Sequence, residues 1–323
     1  MSLPAPAAWP RLVADIGGTN ARFGWVAAAG APVAEVRRYR CADHAGPAEA
    51  AEHYLRESDL PRPAAAAIGV ATPVVGDSVS MTNLPWRFSI RELQQRLGVE
   101  RLRVLNDFAA LALGLPSAAA GDVRRIGAGT PADGAPLALI GPGTGLGVSG
   151  LLRTTGGVAA IVGEGGHVSL GAVDAEEERI VGVLRRQFGH VSAERVLSGG
   201  GLVNLHQALA ELRGASVAVL DAATIAERAS TGDDPLCVET LDRFFAFLGS
   251  VSGNLALTLG ARGGVYIAGG IVPRLGTAIE ASSFRERFEA KGRFRGYLAA
   301  IPTWLVIESS SIALRGADAA LDS

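Results

Sequence analysis

Residues 14–20 read Ala14-Asp15-Ile16-Gly17-Gly18-Thr19-Asn20 and follow the apolar pair Leu12-Val13. An apolar strand here delivers one carboxylate, Asp15, into a turn of two glycines and a threonine. Glycine lets a backbone turn tightly and approach a ligand with no Cβ in the way. Successive N–H groups in such a turn can cradle phosphate oxygens. A carboxylate at the strand end suits Mg²⁺, which takes one or two carboxylates together with phosphate oxygens. Read alone, the stretch reads first as a plain hairpin turn, so the rest of the chain has to decide.

A second stretch repeats the design. The apolar run Leu137–Ile140 leads into Gly141-Pro142-Gly143-Thr144-Gly145-Leu146-Gly147, and strand patterns follow over Val148–Leu152 and Val158–Val162. Both stretches run strand, Gly-rich turn with threonine, strand, which points to two halves of related architecture. Neither contains GxxxxGK[ST], so a P-loop is excluded. The Gly-x-Gly-x-Gly of the second leads into a strand pattern rather than a helix, which disfavours dinucleotide binding.

Around these turns the first third of the chain alternates strand and helix patterns. Val33–Tyr39 and Ala65–Ala71 read as strands, and Ala48–Ser58 as a helix ended by Pro61 and Pro63. Ser89–Leu97 reads as a helix capped by Ser89. Arg103–Leu105 is a short strand, followed by a helix over Phe108–Leu113. The polar, Gly/Pro-containing stretch Pro116–Pro136 marks a boundary or hinge. Beyond Gly171 the patterns are helical over Asp174–Phe188, Ser192–Val196, Leu202–Arg213, Ala222–Ala229 and Asp234–Leu259. Strands return at Val265–Ala268 and Trp304–Ile307, and a helix closes the chain over Ile312–Leu321.

A length of 323 residues suggests two domains. Thirty basic and 32 acidic residues give a net charge of −2, with no electrostatic footprint for nucleic acid or an anionic membrane. No apolar run reaches the ~18 residues of a membrane span. Met1–Pro10 has no basic segment and carries prolines, which argues against a signal peptide. Cys41 and Cys237 form no CxxC and read as free, buried thiols in a reducing cytoplasm.

Three polar groups could carry chemistry. Asn106-Asp107 ends a strand. Aspartate there can take a proton from a hydroxyl attacking phosphorus, and asparagine can fix that hydroxyl; the pair also suits a helix N-cap. In Glu164-Gly165-Gly166-His167 an acid and an imidazole flank two glycines, so both side chains can converge from a turn. That pair has too few ligands for a zinc site. Glu194 opens the segment Glu194-Arg195-Val196-Leu197-Ser198-Gly199-Gly200-Gly201, where an acid also suits the first turn of a helix.

Taken together and in order, these stretches resemble the bacterial glucokinases of the sugar kinase/actin/heat-shock ATPase superfamily. The resemblance rests on Ala14–Arg22, Met81-Thr82-Asn83, Leu105–Phe108, Gly141–Gly147, Gly163–Val168, Glu194–Leu202, Ile267–Gly270 and Lys291-Gly292-Arg293-Phe294. It implies an α/β, two-domain actin-like ATPase (ribonuclease H-like) fold with an interdomain cleft. The implied domains are residues 1–115 plus 306–323 and residues 116–305.

The resemblance also implies roles. Asp107 is the general base, and Asn106, Asp107, Glu164, His167 and Glu194 bind the sugar. Ala14, Asp15, Ile16, Gly17, Gly18, Thr19, Gly143, Thr144, Gly145, Gly269 and Gly270 line ATP, with Asp15 on the Mg²⁺ side. The implied reaction is ATP-dependent phosphorylation of D-glucose at the 6-hydroxyl, in a cytoplasmic homodimer with no nucleic-acid or membrane partner. Two departures from the family pattern are Leu84-Pro85-Trp86, where a histidine is common, and Gly200 in place of proline. The alternatives are another hexose kinase of the superfamily and a non-catalytic sugar sensor. The repressor/open-reading-frame/kinase group carries a cysteine-rich zinc motif, whereas this chain has no cysteine between Cys41 and Cys237.

Overall fold

The computed structural model describes residues 7–155 and 157–322. Met1–Pro6, within the stretch read for a leader, lies outside the described residues. The chain forms two compact units. The first comprises Met1–Asp122, Gly150–Val162 and Glu308–Ser323; the second comprises Val123–Ser149 and Gly163–Ile307. This division keeps 116–122 with the first unit and adds 150–162 to it, segments that the sequence reading placed in the second.

The first unit is built on a sheet of β1 (Arg11–Ile16), β2 (Asn20–Val26), β3 (Ala34–Arg40), β4 (Ala65–Val70) and β7 (Arg101–Asn106). Its order is β3-β2-β1-β4-β7. The hairpin strands β1, β2 and β3 pair antiparallel, whereas β1, β4 and β7 run parallel. Successive strand residues face opposite sides. On one side Leu12, Ala14, Ile16, Ile68 and Val70 pack with Tyr54 and Leu93. These two belong to helices α1 (Pro47–Glu57) and α2 (Ile90–Leu97). On the other side Val13, Ala65 and Ala67 pack with Leu314 and Ala317 of α11 (Ser309–Ala319). With both faces covered, the central strands are buried almost throughout. A small hairpin of β5 (Ser78–Ser80) and β6 (Arg87–Ser89) leads into α2.

Helix α3 (Asp107–Gly114) crosses α11 at close quarters. A Cβ at Gly316 would lie 1.8 Å from the Ala110 carbonyl oxygen, and one at Gly114 would lie 2.0 Å from that of Ile312. Glycine is thus a packing requirement at this crossing. The fully buried Arg11 of β1 bonds Asp318 at 3.0 Å and Asp322 at 2.6 Å, fastening the C-terminal segment to the sheet.

In the second unit β9 (Leu137–Pro142), β12 (Gly264–Ile267) and β13 (Thr303–Val306) run parallel, and β8 (Val123–Ile126) closes the edge antiparallel to β13. The full sheet order is β11-β10-β9-β12-β13-β8. Strand β10 (Leu146–Thr154) begins in this unit; its later part and β11 (Gly157–Val162) group with the first. Helices α4 (Ala175–Phe188), α5 (Gly199–Leu212), α6 (Ala222–Thr231) and α7 (Pro235–Leu259) supply the core, with Phe244, Phe245 and Phe247 of α7 fully buried. Asp234 caps α7 by accepting from the N–H groups of Leu236 and Cys237, and Gly260 ends it at φ 60°. Three short helices follow: α8 (Ala278–Ala281), α9 (Phe284–Glu289) and α10 (Arg295–Ala299).

Several expectations shift. Strand β8 lies inside Pro116–Pro136, read above as an interruption; its Val-Arg-Arg-Ile sequence is too short and charged to show a strand period. Helix α5 begins at Gly199, three residues before the expected Leu202, because Ser198 Oγ accepts from Gly201 N at 2.9 Å and caps it. Residues 192–196, expected to be helical, form only a 3-10 turn over Ala193–Arg195.

Candidate active site

The first unit places its polar group at the carboxyl ends of parallel strands. Asp15 pairs with Gly69 and Gly69 with Leu105, and one step further Ile16 pairs with Val70 and Val70 with Asn106. Asp15, Asn106 and Asp107 therefore emerge at one level of the sheet edge. Ligands of open α/β sheets bind at such carboxyl ends. Asp107 stands at the start of α3, and its Oδ1 accepts from Phe108 N at 2.9 Å. Burial, with the Asp15 charge added to it, pushes its carboxyl up to about 7. Burial pushes Asp15 up as well, and Arg22, 3.6 Å away, pulls it back.

Asn106 fills the capping role read for it. Its Oδ1 caps α3 through Phe108 N at 2.9 Å, while its Nδ2 donates to Thr72 O at 3.4 Å. Thr72 itself went unnoticed in the sequence. It is buried, and its Oγ1 meets Ser80 O at 3.0 Å and Thr82 Oγ1 at 3.1 Å. The only sequence signal was a threonine just past an all-buried strand.

The Gly17-Gly18 turn is a hairpin, closed by Gly17 N donating to Asn20 O at 2.9 Å. Neither glycine has a positive φ. A Cβ at Gly18 would lie 3.1 Å from Asn83 Cβ, so close approach of the Met81–Asn83 segment explains that glycine. A Cβ at Gly17 would meet only Asn20 O, at an ordinary 3.7 Å. The fold therefore does not demand glycine at 17, and an approaching ligand would. Thr19 is exposed, whereas the Ala14 and Ile16 side chains are buried in the core, leaving these two only backbone to offer a ligand.

The second unit gathers its groups on turns. Gly143 N donates to Gly145 O at 2.8 Å, and Gly199 N donates to Gly143 O at 2.9 Å. Gly143 and Gly270 face each other, since a Cβ on Gly143 would come 3.9 Å from Gly270 N. Thr144, between the loop glycines, is exposed. As at Gly17, nothing in the fold crowds Gly143 or Gly270. Gly145 and Gly269 differ: a Cβ there would lie 2.5 Å from Glu194 Oε2 and 2.2 Å from Pro142 O respectively, and Gly269 has φ +80°.

Glu194 Oε2 accepts from Leu146 N at 2.9 Å. One carboxylate oxygen thus braces the end of the second glycine turn, a link that sequence spacing gives no hint of. Glu164 and His167 flank a 3-10 turn over Gly165–His167, with His167 N donating to Glu164 O at 3.0 Å. Both side chains are exposed. Gly166 lets this turn rest on Leu146, whose carbonyl oxygen would lie 2.2 Å from a Cβ there. Ala193 N donates to Val168 O at 2.9 Å and brings the Glu194 turn alongside. Hence Glu164, His167, Glu194 and the Gly143–Leu146 loop form one local assembly.

The Lys291 motif serves structure, since its Nζ donates to Ser250 O of α7 at 3.0 Å. At Gly200 a Cβ would meet nothing within 4 Å, so the departure from proline is not forced by crowding. Trp86 is buried and donates from Nε1 to His44 O at 3.0 Å.

The sequence matches the glucokinase family model over residues 12–323. It is 53% identical to a glucokinase of Aromatoleum aromaticum, over 98% of this chain and 95% of the relative. It is 51% identical to a glucokinase of Paramagnetospirillum magneticum, over 91% and 92% of the two chains. Among solved structures, the glucokinase from an Antarctic psychrotroph superposes with a TM-score of 0.89 at 40% identity, covering 97% of this chain and 98% of the other. The fold is the two-domain actin-like ATPase fold, as the resemblance implied. The chain belongs to the glucokinase family.

Proposed function

We propose that this chain is a glucokinase that transfers the γ-phosphoryl group of ATP to the 6-hydroxyl of D-glucose, releasing ADP and glucose 6-phosphate. The observation that carries the chemical assignment is Asp107: a carboxylate at the sheet's carboxyl edge, raised to about 7 and thus poised to accept a proton at neutral pH. Phosphoryl transfer asks a protein mainly for positioning and charge neutralisation. Asp107 takes the 6-hydroxyl proton as that oxygen attacks phosphorus, and the β–γ bridge oxygen leaves with ADP. Asn106, Glu164, His167 and Glu194 hold sugar hydroxyls through hydrogen bonds, partly charge-assisted. The uncrowded backbones of Gly17, Gly143 and Gly270 receive the nucleotide, with Thr19, Thr144 and the remaining glycines of these turns.

The first unit also suits Mg²⁺. Asp15 and Asp107 are both raised by burial, and Arg22 at 3.6 Å is the cation paired with Asp15. Such a carboxylate edge fits an ion that completes its shell with phosphate oxygens. Mg²⁺ held by Asp15 would neutralise phosphate charge. The first unit acts as the base-bearing domain and the second as the domain bearing the sugar triad, in a cytoplasmic homodimer. Among the described residues no helix is long and apolar enough to cross a membrane.

A coupled ADP-release assay over a panel of hexoses tests this reading. Glucose should give the highest kcat/KM, and Asp107→Ala should abolish turnover while glucose binding persists. No ADP release with any hexose, or near-normal turnover in the variant, would refute it.

A further inference from the structure

The first unit carries a concave pocket of about 340 Å³ whose lining residues have no part in the proposed reaction. Its walls follow from two periodicities. Arg38 and Arg40 lie two apart on β3, the sheet's edge strand, and so share a face. Glu49, His53 and Arg56 lie four and three apart on α1, and so share a helical face. His44 and Asp43 enter from the connection between them. Tyr39 forms an aromatic wall, its ring 5.8 Å from that of His44 and 5.2 Å from that of His53.

The pocket's charge is unbalanced. Three guanidinium groups face two carboxylates, and Glu49 already accepts from Ala45 N at 2.6 Å. Arg38 spends Nε on Asn20 Oδ1 at 2.9 Å. Neither Arg40 nor Arg56 has an ion-pair partner among the described residues, although neighbouring arginines do: Arg37 pairs with Glu57 and Arg96 with Glu52. The two histidine rings lie 5.2 Å apart, and His53 Nε2 is 3.9 Å from Glu57 Oε2. Guanidinium and imidazole groups lining one pocket make a receptor for a compact dianion.

We infer that this pocket is a second ligand site, distinct from the nucleotide turns, that binds the phosphate group of inorganic phosphate or a small phosphate monoester. Through Arg38 and Asn20 a ligand there adjoins the β1–β2 turn, where Cys41 N also donates to Thr19 O at 2.9 Å.

The test is a titration of the full chain with inorganic phosphate and, separately, with glucose 6-phosphate, following heat and the ring resonances of His44 and His53. The inference predicts saturable binding of at least one probe, with Kd on the order of 1 mM, and movement of both histidine signals. An Arg40→Ala/Arg56→Ala chain should weaken that binding at least tenfold and keep basal glucose turnover within twofold. Arg56→Glu alone, on the exposed side of α1, should give the same loss if the double variant folds poorly. Equal response to both probes identifies free phosphate as sufficient, whereas response to the ester alone identifies the hexose phosphate. Absence of saturation with both probes, or undiminished binding in the variants, would overturn the inference.

Discussion

The two units present polar side chains in different ways. In the first, Asp15, Asn106 and Asp107 stand at the ends of hydrogen-bonded parallel strands, so sheet register fixes their level and burial shifts the two carboxyls upward. In the second, Glu164, His167 and Glu194 sit on 3-10 turns held by glycine contacts and single backbone hydrogen bonds. A sheet edge suits a group that must have a tuned proton affinity. Short braced turns suit groups that must match the outline of a neutral, many-hydroxyl ligand.

The sharpest way to break this contrast is to neutralise Asp107. Asp107→Asn keeps a side-chain acceptor for Phe108 N and removes the base. We expect kcat to fall by about 10²–10⁴-fold, with glucose affinity little changed, by steady-state kinetics and equilibrium binding. Removing a brace in the second unit should act on binding. Glu194→Ala leaves Leu146 N unpaired and frees the glycine loop, so KM for glucose and ATP should both rise by about 10–100-fold, corresponding to a lost charged hydrogen bond of about 1.5–3 kcal/mol.

The pH dependence of activity follows from Asp107. As a base raised to about 7, it loses activity as it is protonated. The acid limb of kcat/KM should therefore fall about tenfold per pH unit below about 7 and flatten above it. Its linkage to stability has the opposite sense. The folded state holds the proton more tightly than the unfolded chain, so this group favours folding at low pH, and the advantage is lost as pH rises from about 4 through about 7. Asp107→Asn should thus raise the unfolding free energy at pH 8, by up to about 4 kcal/mol, and change it little at pH 4. Chemical denaturation at the two pH values checks this.

The smallest stability effect is expected at Gly17. Gly17→Ala meets only Asn20 O at 3.7 Å and should stay within about 0.5 kcal/mol of the parent in stability, while KM for ATP rises. Gly269→Ala, with a Cβ 2.2 Å from Pro142 O at φ +80°, should instead destabilise the chain outright. Paired thermal melts and ATP titrations separate the two outcomes.

Much of the first unit was legible because its signals are local. Apolar runs end on Asp15 and on Asn106-Asp107, and strand pairing alone then sets them level. The second unit was less legible. That Glu194 reaches back 48 residues to Leu146 N depends on how a 3-10 turn packs, and no periodicity records it. The three glycines before Leu202 argue against a helix by propensity, yet Ser198 starts one over them. The glycine motifs pointed to both turns without separating Gly17, Gly143 and Gly270, which the fold leaves free, from Gly145 and Gly269, which it requires. Crowding is a tertiary property.

The central claim is that the strand-edge carboxylate and the braced turns act on one sugar. It is tested most directly by an experimental structure with D-glucose and a non-hydrolysable ATP analogue. The 6-hydroxyl should lie about 2.6–3.2 Å from the Asp107 carboxylate, with Glu164, His167 and Glu194 on other hydroxyls of the same ring. A glucose held by the second unit's turns with its 6-hydroxyl out of reach of Asp107 would contradict it.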